Sequence, residues 1–218
     1  MPSEHDRPMP IRALLFDLDQ TLYDRRATVR RWLADECRQS GLRPAAATTF
    51  IDEVLALEQN GYGDREAALA RIDQGLGWNL VDSAVIRERF AAGLLANLPA
   101  NAEHLALLRR LAPRYRIGIL TNGRATMQGA KIERLGLAAI ADPCLSSGAL
   151  GVAKPAAGAY RAACAHWRLP PEQVLMIGDH PVNDIDGARR AGLRTCWIAD
   201  GQDWPSAVGG RSWPRAER

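Results

Sequence analysis

The chain has 218 residues, of which 47% are hydrophobic and 24% are charged, and its formal net charge at pH 7 is +3. This composition is typical of a folded globular protein and excludes an intrinsically disordered chain. The charge excess is small and no long basic run occurs, which argues against nucleic acid as the main partner.

Short apolar runs that end in polar residues recur along the chain. Continuous rather than alternating apolar character predicts parallel strands that are buried on both faces. We predict strands, in chain order, at residues 11–17, 115–121, 141–145 (the weakest pattern), 174–178 and 194–199.

Helical patterns separate these strands. After the first strand, a stretch with helical periodicity and no strand pattern covers residues 24–98. Its predicted helices are 27–39, 48–58, 64–76 and 82–95, with Asp24 as an N-cap and internal turns at 60–63 and 75–77. The remaining predicted helices are 101–112, 125–135, 156–167 and 182–191.

Strands that alternate with helices predict an α/β fold with a doubly wound, Rossmann-like parallel sheet. The expected catalytic core is residues 11–23 and 99–200, and the expected all-helical insert is residues 24–98. Residues 1–10 and 201–218 are expected to be flexible tails. Within the insert, Trp32 and Phe50 are interpreted as core residues.

The N-terminal residues and the cysteines indicate the cellular compartment in which the protein is expected. Residues 1–10 lack the apolar segment of a signal peptide, and no apolar run approaches the roughly 20 residues of a membrane span. The cysteines show no CxxC motif and are interpreted as buried free thiols of a reducing compartment: Cys37, Cys144, Cys164 and Cys196. We expect a cytoplasmic monomer or homodimer without a membrane or nucleic-acid partner.

Polar residues collect where the predicted strands end. Ligands of an open parallel sheet bind beyond the carboxyl ends of its strands, so these side chains are expected at one edge. They are Asp17, Asp19, Thr121, Asn122, Asp179, Asn183 and Asp184, with Lys154 before a following helix. Clustered carboxylates call for a hard divalent cation, most plausibly Mg²⁺. A carboxylate could then attack phosphorus while the cation and Lys154 neutralise the phosphoryl oxygens.

Four segments together resemble a known family. The sequence DLDQT at 17–21, Thr121-Asn122, Lys154-Pro155 and GDHPVND at 178–184 resemble, in order, the four motifs of the haloacid dehalogenase-like hydrolase superfamily. The helical insert after the first motif resembles the cap of the C1 class. Residues 22–24 are reminiscent of its nucleotidase-like and flavin-mononucleotide-phosphatase-like members. His180 departs from the pattern, because many relatives carry Ser there.

The resemblance implies a Mg²⁺-dependent phosphatase that acts on a small phosphorylated metabolite through an aspartyl-phosphate. By that resemblance Asp17 is the nucleophile and a metal ligand. Asp19 is the general acid and base and a ligand through its backbone carbonyl. The other implied roles are metal binding by Asp179, phosphate binding by Thr121, Asn122 and Lys154, and support by Asp184, Asn183 and Thr21.

Other activities share parts of this site. A haloacid dehalogenase has no need of a second carboxylate, so Asp19 counts against it. A phosphomutase would use the whole site. A phosphonatase usually supplies a lysine from its cap, and residues 24–98 contain none. A receiver-like, non-enzymatic phospho-binding module would carry its phosphorylated aspartate on an interior strand and would lack so large a helical insert. In this chain the first carboxylate of the set follows the first predicted strand.

Overall fold

The structure is a computed structural model that describes residues 9–79, 82–199 and 204–205. The chain divides into two compact units, Met1–Leu22 with Asn101–Arg218, and Tyr23–Ala100. The predicted tails, 1–10 and 201–218, lie outside the described residues except for 9–10 and 204–205. In the described part of the chain, no helix is long and apolar enough to cross a membrane.

A five-stranded parallel sheet forms the centre of the first unit, in the order β3-β2-β1-β4-β5. All four residues of β1 are buried, as expected for a central strand with both faces covered. The strands are β1 Ala13–Phe16, β2 Arg116–Thr121, β3 Cys144–Ser146, β4 Val174–Gly178 and β5 Arg194–Trp197. The predicted doubly wound α/β fold is thereby confirmed.

The strand order reverses beside β1. The chain passes from β1 outward through β2 to β3 and then returns to add β4 and β5 on the other side. The carboxyl ends of β1 and β4 therefore diverge into loops at a topological switch point, the usual ligand position in such sheets. The helices of this unit are α5 Ala102–Leu111, α6 Ala125–Arg134, α7 Ser147–Leu150, α8 Ala157–Trp167 and α9 Gly187–Arg190.

The helix predicted at 182–191 is wrong in its detail. The segment Pro181–Asp186 is a π-helical turn, followed by the four-residue α9. Gly187 N donates to Val182 O, five residues earlier, which widens the turn. The apolar spacing of Val182, Ile185 and Ala188 fits either kind of turn, so periodicity alone predicted one continuous α-helix.

The regular secondary-structure elements in the described residues of the second unit are helices. Its helices are α1 Arg25–Gln39, α2 Pro44–Glu58, α3 Arg65–Leu76 and α4 Ser83–Ala96. Asp24 is the N-cap of α1, as predicted, because its carboxylate accepts from Ala27 N at 2.7 Å. Trp32 and Phe50 are buried, as predicted, and Trp32 makes an edge-to-face contact with Phe90 at 5.2 Å between centroids.

Two local predictions need correction. Gly75 lies inside α3 and not in a turn. A glycine is needed at this position because a Cβ would lie 2.2 Å from the Phe50 ring. The turn begins at Gly77, with φ of +64°. All four cysteines are free, but only Cys37 and Cys164 are buried. Cys144 is exposed and Cys196 is half-buried, because they lie on the edge strands β3 and β5.

Candidate active site

Asp17 and Thr121 lie at the carboxyl ends of β1 and β2, two strands that pair with each other. Asp17 comes directly after β1, and its backbone N–H continues the pairing with β4 by donating to Ile177 O at 2.9 Å. Thr121 is the last residue of β2. Both side chains are buried at the carboxyl edge of the sheet. The structure thus brings together two of the predicted motifs that are about a hundred residues apart in sequence.

Lys154 connects two carboxylates. Its ammonium donates to Asp17 Oδ1 at 2.5 Å and to Asp184 Oδ1 at 2.7 Å. The side chains of Lys154 and Asp184 expose no surface, and that of Asp17 exposes 3%. The contacts with two carboxylates offset part of the cost of burying the Lys154 ammonium.

Asn122 holds the backbone of Lys154. Its amide Nδ2 donates to Lys154 O at 2.9 Å, and its Oδ1 accepts from Lys154 N at 3.0 Å. Both polar atoms of this side chain are therefore occupied by one main-chain segment. The Asn122 side chain therefore clamps the backbone of Lys154, and the phosphate contact expected of Asn122 stays a prediction.

Asp179 follows β4 and accepts from Thr21 Oγ1 at 3.1 Å. The next residue, His180, donates its backbone N–H to Asp184 Oδ2 at 2.9 Å. Its ring Nδ1 accepts from the backbone N–H groups of Val182 and Asn183 at 3.2 and 3.1 Å. His180 therefore caps the π-helical turn in the way that a serine oxygen would.

Asn183 is buried beside these groups, and its carbonyl accepts from the hydroxyl of Tyr160. Gly178 makes the approach of Asp184 possible, since a Cβ at this position would lie 2.4 Å from Asp184 Cγ. A glycine at the end of β4 is therefore required by the buried carboxylate and not by a turn.

Burial sets the protonation equilibria of the carboxylates. Burial raises the pKa of Asp17 well above its ordinary value, Lys154 opposes the shift, and Asp184 and Asp179 add to it. Burial, reinforced by Asp184, raises the pKa of Asp179 to about 7. Burial also lowers the pKa of His180. The carboxylates therefore favour their ionised forms only with more positive charge nearby.

Asp19 has different partners. Lys131 Nζ lies 2.6 Å from Asp19 Oδ1 and 2.9 Å from Oδ2. Gln128 Nε2 donates to Asp19 Oδ2 at 2.9 Å and to Thr121 Oγ1 at 2.5 Å. Sequence reasoning missed both Gln128 and Lys131. Of the chain's 28 basic residues only Lys131 and Lys154 are lysines, a signal that could have identified both.

The acidic group fits a divalent cation. Ligand oxygens of Asp17, Asp179 and Asp184 all lie within 4.8 Å of one another. Asp17 Oδ2 is buried and has no hydrogen-bond partner among the described residues. Counting Asp19 and the two lysines, the site carries a formal excess of two negative charges, which one Mg²⁺ would balance. The Asp19 carboxylate is not a member of the group of three.

A sequence model of the haloacid dehalogenase-like hydrolases matches residues 11–192. The chain belongs to this family of hydrolases, as the four motifs predicted.

Curated relatives of similar length are phosphatases. The chain is 30% identical over 203 residues to a glyceraldehyde 3-phosphate phosphatase of Pyrococcus abyssi, covering 88% of this chain and 83% of the relative. It is 30% identical over 223 residues to a phosphoserine phosphatase of Thermus thermophilus, covering 88% and 90%. Both of these relatives are named as phosphatases of small phosphorylated metabolites.

A similar solved structure is that of the HAD-hydrolase YfnB from Bacillus subtilis bound to magnesium. The TM-score is 0.69 at 22% identity, and the match covers 90% of this chain and 92% of the other. At this identity the likeness supports the shared fold.

Proposed function

We propose that this protein is a Mg²⁺-dependent phosphomonoester hydrolase that acts through an aspartyl-phosphate on Asp17. Asp17, Asp179 and Asp184 offer the carboxylate oxygens for the cation, together with the backbone carbonyl of Asp19. Bound there, Mg²⁺ would offset the charge of the carboxylates and of the phosphoryl oxygens. The substrate is a small phosphorylated metabolite.

One observation carries the proposal. Asp17 has one oxygen held by Lys154 at 2.5 Å and a second, buried oxygen with no hydrogen-bond partner among the residues described. A carboxylate that only maintained the fold would be expected to have both oxygens satisfied, as Asp184 does through Lys154 and His180. The free oxygen of Asp17 is the one available to attack phosphorus or to bind a cation.

The surrounding residues suit the first step. As the Asp17 oxygen attacks phosphorus, the ester bond to the leaving alcohol breaks and negative charge is spread over the phosphoryl oxygens. The Lys154 ammonium and the Thr121 hydroxyl are placed to donate to those oxygens. Asn122 and Asp184 hold Lys154 from its backbone and from its ammonium, so little reorganisation is needed when the charge develops.

Asp19 is the proposed acid and base. Asp19 carries a proton when the ester binds and gives it to the leaving alkoxide. The resulting carboxylate, the form that Lys131 contacts at both oxygens, then takes a proton from the water that hydrolyses the aspartyl-phosphate. Glyceraldehyde 3-phosphate and phosphoserine, named for the relatives, are both phosphate esters of a primary alcohol. A primary alkoxide is a poor leaving group, so this substrate class needs the acid.

The test is phosphate release from glyceraldehyde 3-phosphate, phosphoserine and 4-nitrophenyl phosphate, each with Mg²⁺ and with EDTA. We expect turnover of at least one ester that requires Mg²⁺ and that the matched variant Asp17→Asn abolishes. Halide release from a 2-haloacid without phosphate release would instead support a dehalogenase. Phosphoryl transfer to a second sugar hydroxyl, without free phosphate, would support a mutase. Phosphate release that survives in Asp17→Asn would contradict the nucleophile assignment.

A further inference from the structure

One face of α6 turns two polar side chains into the buried part of the site. Gln128 and Lys131 are three residues apart and therefore share a helix face, which they continue with the buried apolar Ile132. Gln128 is 2% exposed and Lys131 4% exposed. A glutamine and a lysine on the buried face of a helix require partners that repay the cost of desolvation.

Lys131 finds its partner in Asp19. Its ammonium contacts both carboxylate oxygens, at 2.6 and 2.9 Å, and the two side chains are 5% and 15% exposed. An ammonium that straddles both oxygens restricts rotation of the carboxylate. Asp19 thus has a fixed orientation in this structure, set by a residue of a different element.

Gln128 joins Asp19 to Thr121. Its Nε2 contacts Asp19 Oδ2 at 2.9 Å, Thr121 Oγ1 at 2.5 Å and Asn122 O at 3.3 Å. An ionised carboxylate and a backbone carbonyl only accept hydrogen bonds, so the amide must present its NH₂ group here. Thr121 Oγ1 then accepts from Gln128, and its own hydrogen stays available to donate in another direction.

The use of lysine at position 131 is selective. The chain has 28 basic residues, and 26 of them are arginines. The remaining two are lysines, and both are buried. Lys154 binds Asp17 and Asp184, and Lys131 binds Asp19. A compact ammonium can approach a carboxylate inside a closed site where a broad, planar guanidinium needs more room. Both lysines of the chain are therefore bound to carboxylates of the candidate site.

We propose that Lys131 and Gln128 are positioning residues that together fix the proposed acid and base Asp19. Gln128 has a second effect, since it also turns the hydroxyl hydrogen of Thr121 toward the phosphoryl group. This inference rests on the proposed function for its consequence in catalysis, whereas the contact itself does not.

The consequence is a selective one. Because Lys131 binds the Asp19 carboxylate at both oxygens, its loss is expected to harm the steps that need Asp19. Misplacing a reacting group by about 1 Å can cost about a hundredfold in rate. Esters of poor leaving groups should suffer most, because 4-nitrophenolate departs without a proton from Asp19.

The kinetic test is a double-mutant cycle. Lys131→Met keeps the apolar stem and removes the charge, and Arg134→Met, at an exposed position of the same helix, is the matched control. With phosphoserine, or another alkyl phosphate that the enzyme accepts, we expect kcat of Lys131→Met to fall about tenfold to a hundredfold with little change in KM. The loss of kcat/KM with 4-nitrophenyl phosphate, which reports the first step and not the hydrolysis of the aspartyl-phosphate, should be at least several times smaller. Adding Lys131→Met to Asp19→Asn should cost little more.

Gln128 has its own arm in this test. Gln128→Glu keeps the shape but places a carboxylate beside Asp19 and Thr121, so it should lower the rate with both classes of ester. Gln128→Met should be milder for 4-nitrophenyl phosphate than Gln128→Glu. Equal losses of kcat/KM for alkyl and aryl esters in Lys131→Met, or additive losses with Asp19→Asn, would overturn the positioning role.

A second readout does not depend on activity. With ¹⁵N-lysine the protein has only two side-chain ammonium signals, and Lys131→Arg assigns them by removing one. We expect Asp19→Asn to shift the Lys131 signal and to speed its exchange with water, while the Lys154 signal changes little. An unchanged Lys131 signal would refute the contact even in an active enzyme. If the wild-type protein released no phosphate, the proposed function would fail and this measurement would still decide the contact.

Discussion

Lys154 Nζ and Asp184 Oδ1 lie 2.7 Å apart, and neither side chain exposes any surface to solvent. The same ammonium also reaches Asp17 at 2.5 Å. The lysine is therefore both a part of the buried structure and the positive charge beside the proposed nucleophile. A change at Lys154 should alter stability and activity together.

Lys154→Met should destabilise the protein by about 3–5 kcal/mol, since it leaves buried carboxylates without their positive partner. It should also lower the rate with every ester by at least about a hundredfold, because a donor to the phosphoryl oxygens is lost. Urea unfolding and a substrate panel measure the two effects. Arg161→Met, at an exposed position on α8, is the control and should change stability by less than about 0.5 kcal/mol. A Lys154→Met protein of unchanged stability would be inconsistent with a buried ion pair.

Asp17→Asn should lower turnover by several orders of magnitude while the fold is retained. The amide is nearly the same shape as the carboxylate, but it cannot attack phosphorus and binds Mg²⁺ poorly. Since Asp17 is buried beside two other carboxylates, removal of its charge should not weaken the fold when Mg²⁺ is absent. Activity above about a tenth of the wild-type rate would remove Asp17 from the role of nucleophile.

Asp19→Asn should separate the two chemical steps. With 4-nitrophenyl phosphate the first step needs no proton from Asp19, whereas hydrolysis of the aspartyl-phosphate still needs a base. Phosphorylated enzyme should therefore accumulate with this substrate, and rapid acid quench with ³²P-labelled ester would detect it. Failure to accumulate phosphorylated enzyme, combined with equal losses for aryl and alkyl esters, would argue against Asp19 as acid and base.

Asp179 makes the metal-free protein sensitive to pH. The ordinary pKa of an aspartate is 3.8, and burial raises that of Asp179 to about 7 in the folded state. Between these values the folded protein binds a proton that the unfolded chain has lost, so the free energy of unfolding falls as pH rises. For one group the slope is at most about 1.4 kcal/mol per pH unit.

The measurement is urea unfolding in EDTA between pH 5 and 8. The wild-type protein should become less stable across this range, and Asp179→Asn should reduce the slope. Mg²⁺ affinity should rise over the same interval, because the ionised carboxylate is the form that binds a cation. Because the lowered pKa of His180 contributes a slope of opposite sign, the two proteins are compared: equal slopes for wild type and Asp179→Asn would contradict the raised pKa of Asp179.

Much of the sheet was accessible from the sequence because its strands are buried on both faces. Residues 174–178 were predicted as a strand and form β4 with the same bounds, since VLMIG is a continuous apolar run. The π-helical turn after it was not accessible, because its apolar spacing is shared with an α-helix. The choice between a π-helical turn and an α-helix depends on hydrogen bonds of His180 and Gly187. The spacing of apolar residues does not predict these bonds.

Some residues of the candidate site could be identified from the sequence and others could not. Asp17, Asp179, Asp184 and Lys154 were identified by motif, and the structure brings their side chains together. Their catalytic roles remain predictions. Gln128 and Lys131 were not predicted as site residues, because a polar residue on a helix is ordinarily exposed to solvent. Only the tertiary structure shows that their face of α6 packs over Asp19. A count of lysines would have directed attention to position 131.

Gly178, the last residue of β4, lies against the buried carboxylate of Asp184. A Cβ at this position would lie 2.4 Å from Asp184 Cγ, a separation that forces the buried carboxylate or the end of β4 to move. Gly178→Ala should therefore destabilise the protein by about 1–3 kcal/mol and also lower kcat, because Asp184 orients Lys154. Gly129→Ala is the matched control, since that position on α6 is exposed and a Cβ there meets nothing within 4 Å. The control should stabilise the protein by about 0.5–1 kcal/mol and leave kcat unchanged. Thermal unfolding and phosphate release test both variants. If Gly178→Ala kept wild-type stability and rate, the close approach of Asp184 to β4 would not be a requirement of the site.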